Sequence, residues 1–247
     1  MSELTIIFIT EVIGTIAFAV SGALIAVRRS LDLFGVILVG CITSVGGGML
    51  RDVFLGECPP RIFSNPGILA IAAMTSVIVF VISFCNASKF EALQKRIETV
   101  NNFFDAVGLA AFSITGTEIA CNSGFSDNAL FAILMGLLTG IGGGIIRDIL
   151  VDKTPYVLKK HIYALASILG CGVYYFIRIS SEKIIATIVA TVVIILIRML
   201  AAKFHWKLPR VPLDLKSLEE KKERLFNNVE EEKLLNISQA SLPTKKS

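Results

Sequence analysis

Charge is scarce in this sequence. Asp, Glu, Lys and Arg together make up 18% of 247 residues, against 54% hydrophobic ones, and mean hydropathy is +0.72. That scarcity argues against a soluble protein, even one with very apolar core helices. A basic leader is missing too. Met1-Ser2-Glu3-Leu4 has no basic n-region and no small-residue cleavage site clearly follows, so the first apolar run is expected to remain as a membrane helix. The five cysteines (Cys41, Cys58, Cys85, Cys121, Cys171) are scattered, odd in number and mostly inside apolar runs, which reads as small apolar packing. No metal-ligand spacing, Ser/His/Asp set, Cys/His pair or nucleotide motif stands out. Neither an enzyme, a cofactor nor a nucleic-acid partner is expected.

Long apolar runs are what the chain has in place of these. Runs of about 18 residues or more can cross roughly 30 Å of hydrocarbon. Such runs lie at about 4–27, 32–58, 67–84, 103–121, 129–151 and 184–202, with a slightly shorter one at about 162–177. The expected fold is an all-α polytopic membrane protein with seven transmembrane helices in contact with membrane lipid. Its organisation reads as a first three-helix repeat (1–88), a cytoplasmic connection (89–102), a second, inverted three-helix repeat (103–181), a seventh helix (182–204) and a polar tail (205–247). Residues 214–235 of the tail allow a weak amphipathic helix, and 236–247 have a disordered composition.

The repeat is legible residue by residue. Gly46-Gly47-Gly48-Met49-Leu50-Arg51-Asp52 returns as Gly142-Gly143-Gly144-Ile145-Ile146-Arg147-Asp148. Upstream, Glu11 to Gly22 aligns with Asp105 to Gly116, and Gly40, Thr43 and Pro59 match Gly136, Thr139 and Pro155. An odd number of spans per repeat makes the second copy enter the membrane from the opposite side. The halves should then be related by a pseudo-two-fold axis in the membrane plane.

Loop charge sets the orientation. Arg28, Arg29, Lys89, Lys95, Arg96, Lys153, Lys159, Lys160, Lys203, Lys207 and Arg210 collect on one side, and little beyond Arg61, Arg178 and Lys183 on the other. The basic side is expected to be cytoplasmic, with the amino terminus outside and the carboxyl terminus inside. Arg198 is expected to snorkel to the cytoplasmic headgroups, and His161, His205 and Glu118 to lie at interfaces.

Each helix-interior glycine costs about 1 kcal/mol against alanine. Three in succession, twice, are expected to kink or unwind their helices at mid-depth. Freed carbonyls and N–H groups there could line a polar path. The plainer alternative is close helix packing. Arg51, Asp52, Arg147 and Asp148 lie about a turn beyond each triplet and read as a polar vestibule at each mouth or as structural staples. Glu11 and Asp105 are matching acids, placed to pair with Arg51 and Arg147 or to attract cations. Gly14, Ala17, Ser21 and Gly22, with Gly108, Ala111, Thr115 and Gly116, suit tight helix contacts.

Paired GGGxxRD segments on the second and fifth of seven helices, in a three-plus-three-plus-one arrangement, resemble prokaryotic trimeric intracellular cation (TRIC) channels. That superfamily also includes bacterial glycine-transporter-like membrane proteins. The resemblance covers about residues 4–204. It implies a homotrimer in a bacterial-type inner membrane, with one potassium-permeable pore per protomer bent at the glycines, and weaker discrimination against sodium than in a filter-type channel. Eukaryotic members carry basic residues on the fourth helix, tied to gating and phosphoinositide binding. Here Phe103 to Cys121 has no Lys or Arg, which sets this sequence apart. Two function classes stay open: a passive monovalent-cation channel, and a carrier of a small zwitterion such as glycine.

Overall fold

The computed structural model describes residues 3–64, 66–87, 94–159 and 162–204. The expectations for the tail, and for Lys89, Lys160, His161 and His205, fall outside these residues. Seven long helices are described: α1 (Glu3–Arg28), α2 (Leu33–Phe54), α3 (Pro66–Cys85), α4 (Gln94–Ala120), α5 (Ala129–Leu150), α6 (Ile162–Ser180) and α7 (Lys183–Lys203). All seven are long and apolar enough to cross a bilayer.

Their ends follow ordinary capping chemistry. The Asp32 carboxylate accepts the Gly35 N–H (2.8 Å) ahead of α2, and Asn128 Oδ1 accepts the Phe131 N–H (3.0 Å) ahead of α5. Pro66 opens α3, where its missing N–H costs nothing. The fourth helix begins earlier than its hydropathy indicates. It starts at Gln94, so most of the polar connection placed at 89–102 is helix. Polar residues there lower the hydropathy without breaking the helical hydrogen bonds.

That helix is the centre of the bundle, with 83% of its membrane window buried, whereas α3 and α7 are the most exposed at 28% and 22%. The exposed faces of α3 and α7 are apolar, with Met74, Ile78, Ile82, Ile188 and Val192 among them, as lipid contact requires.

Equivalent helices of the two halves run in opposite directions. Ser21, late in α1, donates to Asn101 Oδ1 (3.1 Å), early in α4. Arg29, just past α1, donates to the Asp152 carbonyl (3.3 Å), just past α5. The ends of α1 and α5 and the starts of α2 and α4 therefore share one end of the bundle, called here the basic end. Two self-equivalent contacts lie between the halves. Phe18 and Phe112, matching positions in the repeat, pack with ring centroids 5.3 Å apart. Gly47 and Gly143 also face each other, each so near the partner helix that a Cβ on Gly47 would overlap the Thr139 carbonyl and one on Gly143 the Thr43 carbonyl. Reciprocal contacts of this kind are what a pseudo-two-fold axis between inverted halves produces.

The glycine triplets do not unwind. Helices α2 and α5 run through Gly46-Gly47-Gly48 and Gly142-Gly143-Gly144 with unbroken helical assignment. Glycine is used there for close backbone approach. The helical hydrogen bonds survive because lipid and apolar neighbours offer the freed groups no alternative partner.

Candidate functional site

The α2/α5 crossing sits between two Arg-Asp pairs, one toward each end of the bundle. Arg51 and Asp52 lie in the last turn of α2, and Arg147 and Asp148 in the last turn of α5. Exposure of the four is 3%, 2%, 3% and 1%, so none stands in an open vestibule. Burial at this level is tolerable only with full pairing, and each pair supplies it. Arg51 donates from Nε (2.9 Å) and Nη2 (2.6 Å) to Asp52 Oδ1. Arg147 Nε donates to Asp148 Oδ1 (3.0 Å).

Both aspartates use their second oxygen in the same way. Asp52 Oδ2 accepts the Arg61 N–H (3.0 Å) at the start of a 3-10 turn, Arg61–Phe63. Asp148 Oδ2 accepts the Tyr156 N–H (2.7 Å) at the start of a one-turn helix, Tyr156–Lys159. Each aspartate thus ties the proline-containing turn after its helix back onto the helix end. In each half the Arg-Asp pair thereby links the helix end to the turn that follows it.

Beyond that shared core the two ends differ. At the basic end Arg147 Nη1 also donates to Asp105 Oδ1 (2.8 Å) and to Ser21 Oγ (2.9 Å). The second oxygen of Asp105 accepts from Arg198 Nη2 of α7 (2.9 Å). The Arg198 guanidinium lies over the rings of Tyr163 (4.3 Å) and Tyr156 (5.2 Å), a cation–π arrangement. Two buried arginines and two buried aspartates balance one another there. The expected Asp105–Arg147 pair is present. Arg198, however, does not snorkel to headgroups: it is 5% exposed and points inward, because a buried carboxylate outbids the distant interface.

At the other end the expected Glu11–Arg51 pair is not formed. Glu11 lines the same small cleft as Arg51, Asp52 and Arg61, but among the described residues its carboxylate makes no hydrogen bond or ion pair. Arg51 is satisfied by Asp52, and the Arg61 guanidinium is held by Glu57. The Arg61 hydrogen bond draws the Glu57 carboxyl below its ordinary pKa, in the turn outside the spans.

Glu118 is a further departure. It is 3% exposed and accepts from Tyr174 Oη (2.8 Å) and Lys183 Nζ (2.8 Å), with Arg178 Nε 3.0 Å away. An acid expected at the interface instead joins α4, α6 and the start of α7. Ser21 and Asn101, read as packing and connection, are polar members of the Arg147 cluster. Asn101 is one helical turn before Asp105, a spacing that puts both on one face. Among the described residues, no group of three or more His, Cys, Asp or Glu could hold a metal ion.

A chain with this geometry has close relatives in sequence and in structure. The sequence model of the family described as glycine transporter matches residues 8–83 and 102–178, the two three-helix halves. The UPF0126 inner membrane protein YadS of Escherichia coli K12 is 37% identical over 213 residues, covering 85% of this chain and 98% of that protein. A crystal structure of a prokaryotic TRIC channel in 0.5 M KCl superposes with a TM-score of 0.73 at 34% identity, covering 83% of this chain and 100% of that one. The TRIC orthologue from Rhodobacter sphaeroides gives 0.72 at 29% identity, covering 82% of this chain and 100% of that one. Matching both halves of the repeat and the whole length of solved channels, the chain belongs to the glycine transporter family within the TRIC channel superfamily.

Proposed function

We propose that this protein is a monovalent-cation channel of the bacterial inner membrane, permeable to potassium and to sodium, assembled as a homotrimer with one pore in each protomer. The observation that carries this reading is the likeness, over the whole bundle, to prokaryotic TRIC channels at 34% identity. The two three-helix halves are its working units, α7 stands outside the repeat, and the basic end faces the cytoplasm.

The pathway follows α2 and α5. At their crossing the facing positions are Gly46, Gly47, Gly142 and Gly143, so the contact is backbone against backbone. A small separation of the two helices would expose carbonyl oxygens and threonine hydroxyls, the ligands a dehydrating alkali cation needs. In the conformation described, Gly47 and Gly143 are in contact, which corresponds to a closed crossing.

A second reading, a carrier of glycine, is favoured by the family model matched. Two Arg-Asp sites on opposite sides of one crossing would also suit alternating access. Purified protein in planar bilayers and in proteoliposomes separates the two. Unitary potassium currents that persist without glycine support the channel. Saturable glycine uptake without currents would reject it.

A further inference from the structure

The unpaired Glu11 is the starting point. Its cleft is bounded by α1, α2 and the Arg61–Phe63 turn, and Glu11, Thr15, Ser44, Arg51, Asp52 and Arg61 contribute its polar lining. Each cation there already has an acid: Arg51 has Asp52, and Arg61 has Glu57. Glu11 is the remainder: among the described residues of the cleft, it is the acid that no protein cation ion-pairs when it is ionised. A half-buried carboxylate without a counter-ion is costly while ionised, and it is relieved by taking up either a proton or a cation.

A second, independent feature points to the same place. The Thr15 side chain is 0% exposed, and its Oγ1 has no hydrogen-bond partner. A threonine in a helix ordinarily satisfies its hydroxyl on the carbonyl four residues back, as Thr43, Thr115 and Thr139 do here. Thr15 leaves its oxygen unused while lining the cleft one turn from Glu11. Ser44, opposite on α2, donates to the Thr15 and Gly40 carbonyls (3.0 and 2.9 Å), so its own oxygen lone pairs remain available.

The equivalent place in the other half removes every one of these features. Glu11 corresponds to Asp105, which is taken by two arginines. Thr15 corresponds to Leu109 and Ser44 to Gly140, so both hydroxyls are gone. The cleft at Glu11 offers about 30 Å³, above the ~10–15 Å³ needed to hold one water-sized occupant. The equivalent site around Arg147 and Tyr163 offers about 0 Å³. Among the described residues, space, an unpaired acid and free oxygen therefore coincide around Glu11 and not around Asp105.

We infer that Glu11, Thr15 and Ser44 form a binding station for a monovalent metal cation at the end of the bundle away from the basic one. One carboxylate and two hydroxyls are hard oxygen ligands with a single negative charge. They suit an alkali ion better than a divalent one, which seeks several carboxylates. On the channel reading, on which its role rests, the station concentrates cations at one mouth only and makes conduction asymmetric.

The test uses the full-length protein and thallium(I) as the probe. Anomalous diffraction from thallium-soaked wild-type crystals should show a peak among Glu11, Thr15 and Ser44 and none at Asp105. Thr15→Val keeps the shape and removes a hydroxyl that holds no protein partner, so the melting temperature should stay unchanged or rise while thallium affinity falls about fivefold. Glu11→Gln should lower it about tenfold, and reduce inward more than outward current at low ionic strength, with the difference fading in high salt. No thallium peak at the station, or full occupancy in Thr15→Val and Glu11→Gln, overturns the assignment. Bound thallium with no current in wild type would keep the station and reject the channel. Normal currents with an empty station would do the reverse.

Discussion

The carbonyl oxygen of Thr139 occupies the space a side chain on Gly47 would need, and Thr43 does the same to Gly143. The two glycines sit where backbone must meet backbone. Gly47→Ala or Gly143→Ala should therefore push α2 and α5 apart or fail to pack, at about 1–3 kcal/mol each. Gly48 is different, since its nearest neighbour in reach is Arg51 Nη2 at 3.6 Å. Gly48→Ala should be tolerated and even gain from helix propensity, by up to about 1 kcal/mol. Thermal unfolding in detergent, run beside potassium flux, checks this contrast. Equal loss from all three variants would show that helix flexibility, and not the crossing, is what the triplet provides.

Asp105 and Glu11 are matched positions with opposite burdens. Asp105→Asn leaves Arg147 and Arg198 sharing one fewer carboxylate in a buried site, a loss of about 3–5 kcal/mol. Glu11→Gln removes no partner and should leave stability within about 1 kcal/mol of wild type. The two melting curves in one detergent decide the matter. A Glu11→Gln variant as unstable as Asp105→Asn would mean that Glu11 is bonded after all.

Arg198 should behave as part of the fold and not as a headgroup anchor. Arg198→Lys keeps a charge long enough to snorkel but loses the planar fork that meets Asp105 and stacks on Tyr163. It should lower the melting temperature by several degrees, whereas a headgroup anchor would tolerate the change. Stability measured across lipids of different headgroup charge should show the same deficit in each.

Orientation is open to direct labelling. With Ser2→Cys and Ala240→Cys placed separately in a cysteine-free background, a membrane-impermeant thiol reagent should modify position 2 in intact cells and spare position 240 until the cells are lysed. The reverse pattern would exchange the two mouths.

Lys153, just past the end of α5, sits at the basic end. Burial lowers its pKa; Asp148 opposes this, and the charges of Arg147, Arg28 and Arg29 add to the lowering. A lowered pKa means a larger neutral fraction at any given pH below it. Lys153 should thus react with an amine-acylating reagent at pH 8–9 faster than an ordinary surface lysine does. Peptide mapping of partially labelled protein gives the comparison, and a rate at or below the surface average would contradict the local field described.

Much of this protein is written in one dimension. The seven spans are visible because hydrocarbon demands about 20 apolar residues per crossing, and the register of Gly, Arg, Asp and Pro exposes the duplication. Odd parity then forces inversion, since a chain of three spans must end on the side opposite its start. The Asp105–Arg147 pair was readable for the same reason, once both residues were placed at one end of the bundle. Other matters were decided by the tertiary structure alone. Whether a glycine triplet unwinds or packs depends on what faces it, and the crossing of α2 and α5 supplies a backbone at contact distance. Whether Arg198 snorkels depends on whether a carboxylate lies within reach, and α7 brings it to Asp105, 93 residues away in sequence. The two halves look alike as sequence, yet Asp105 is ion-paired by two arginines while Glu11 forms no ion pair among the described residues. The seventh helix has no counterpart in the other half, so a partner it brings to Asp105 has no equivalent at Glu11.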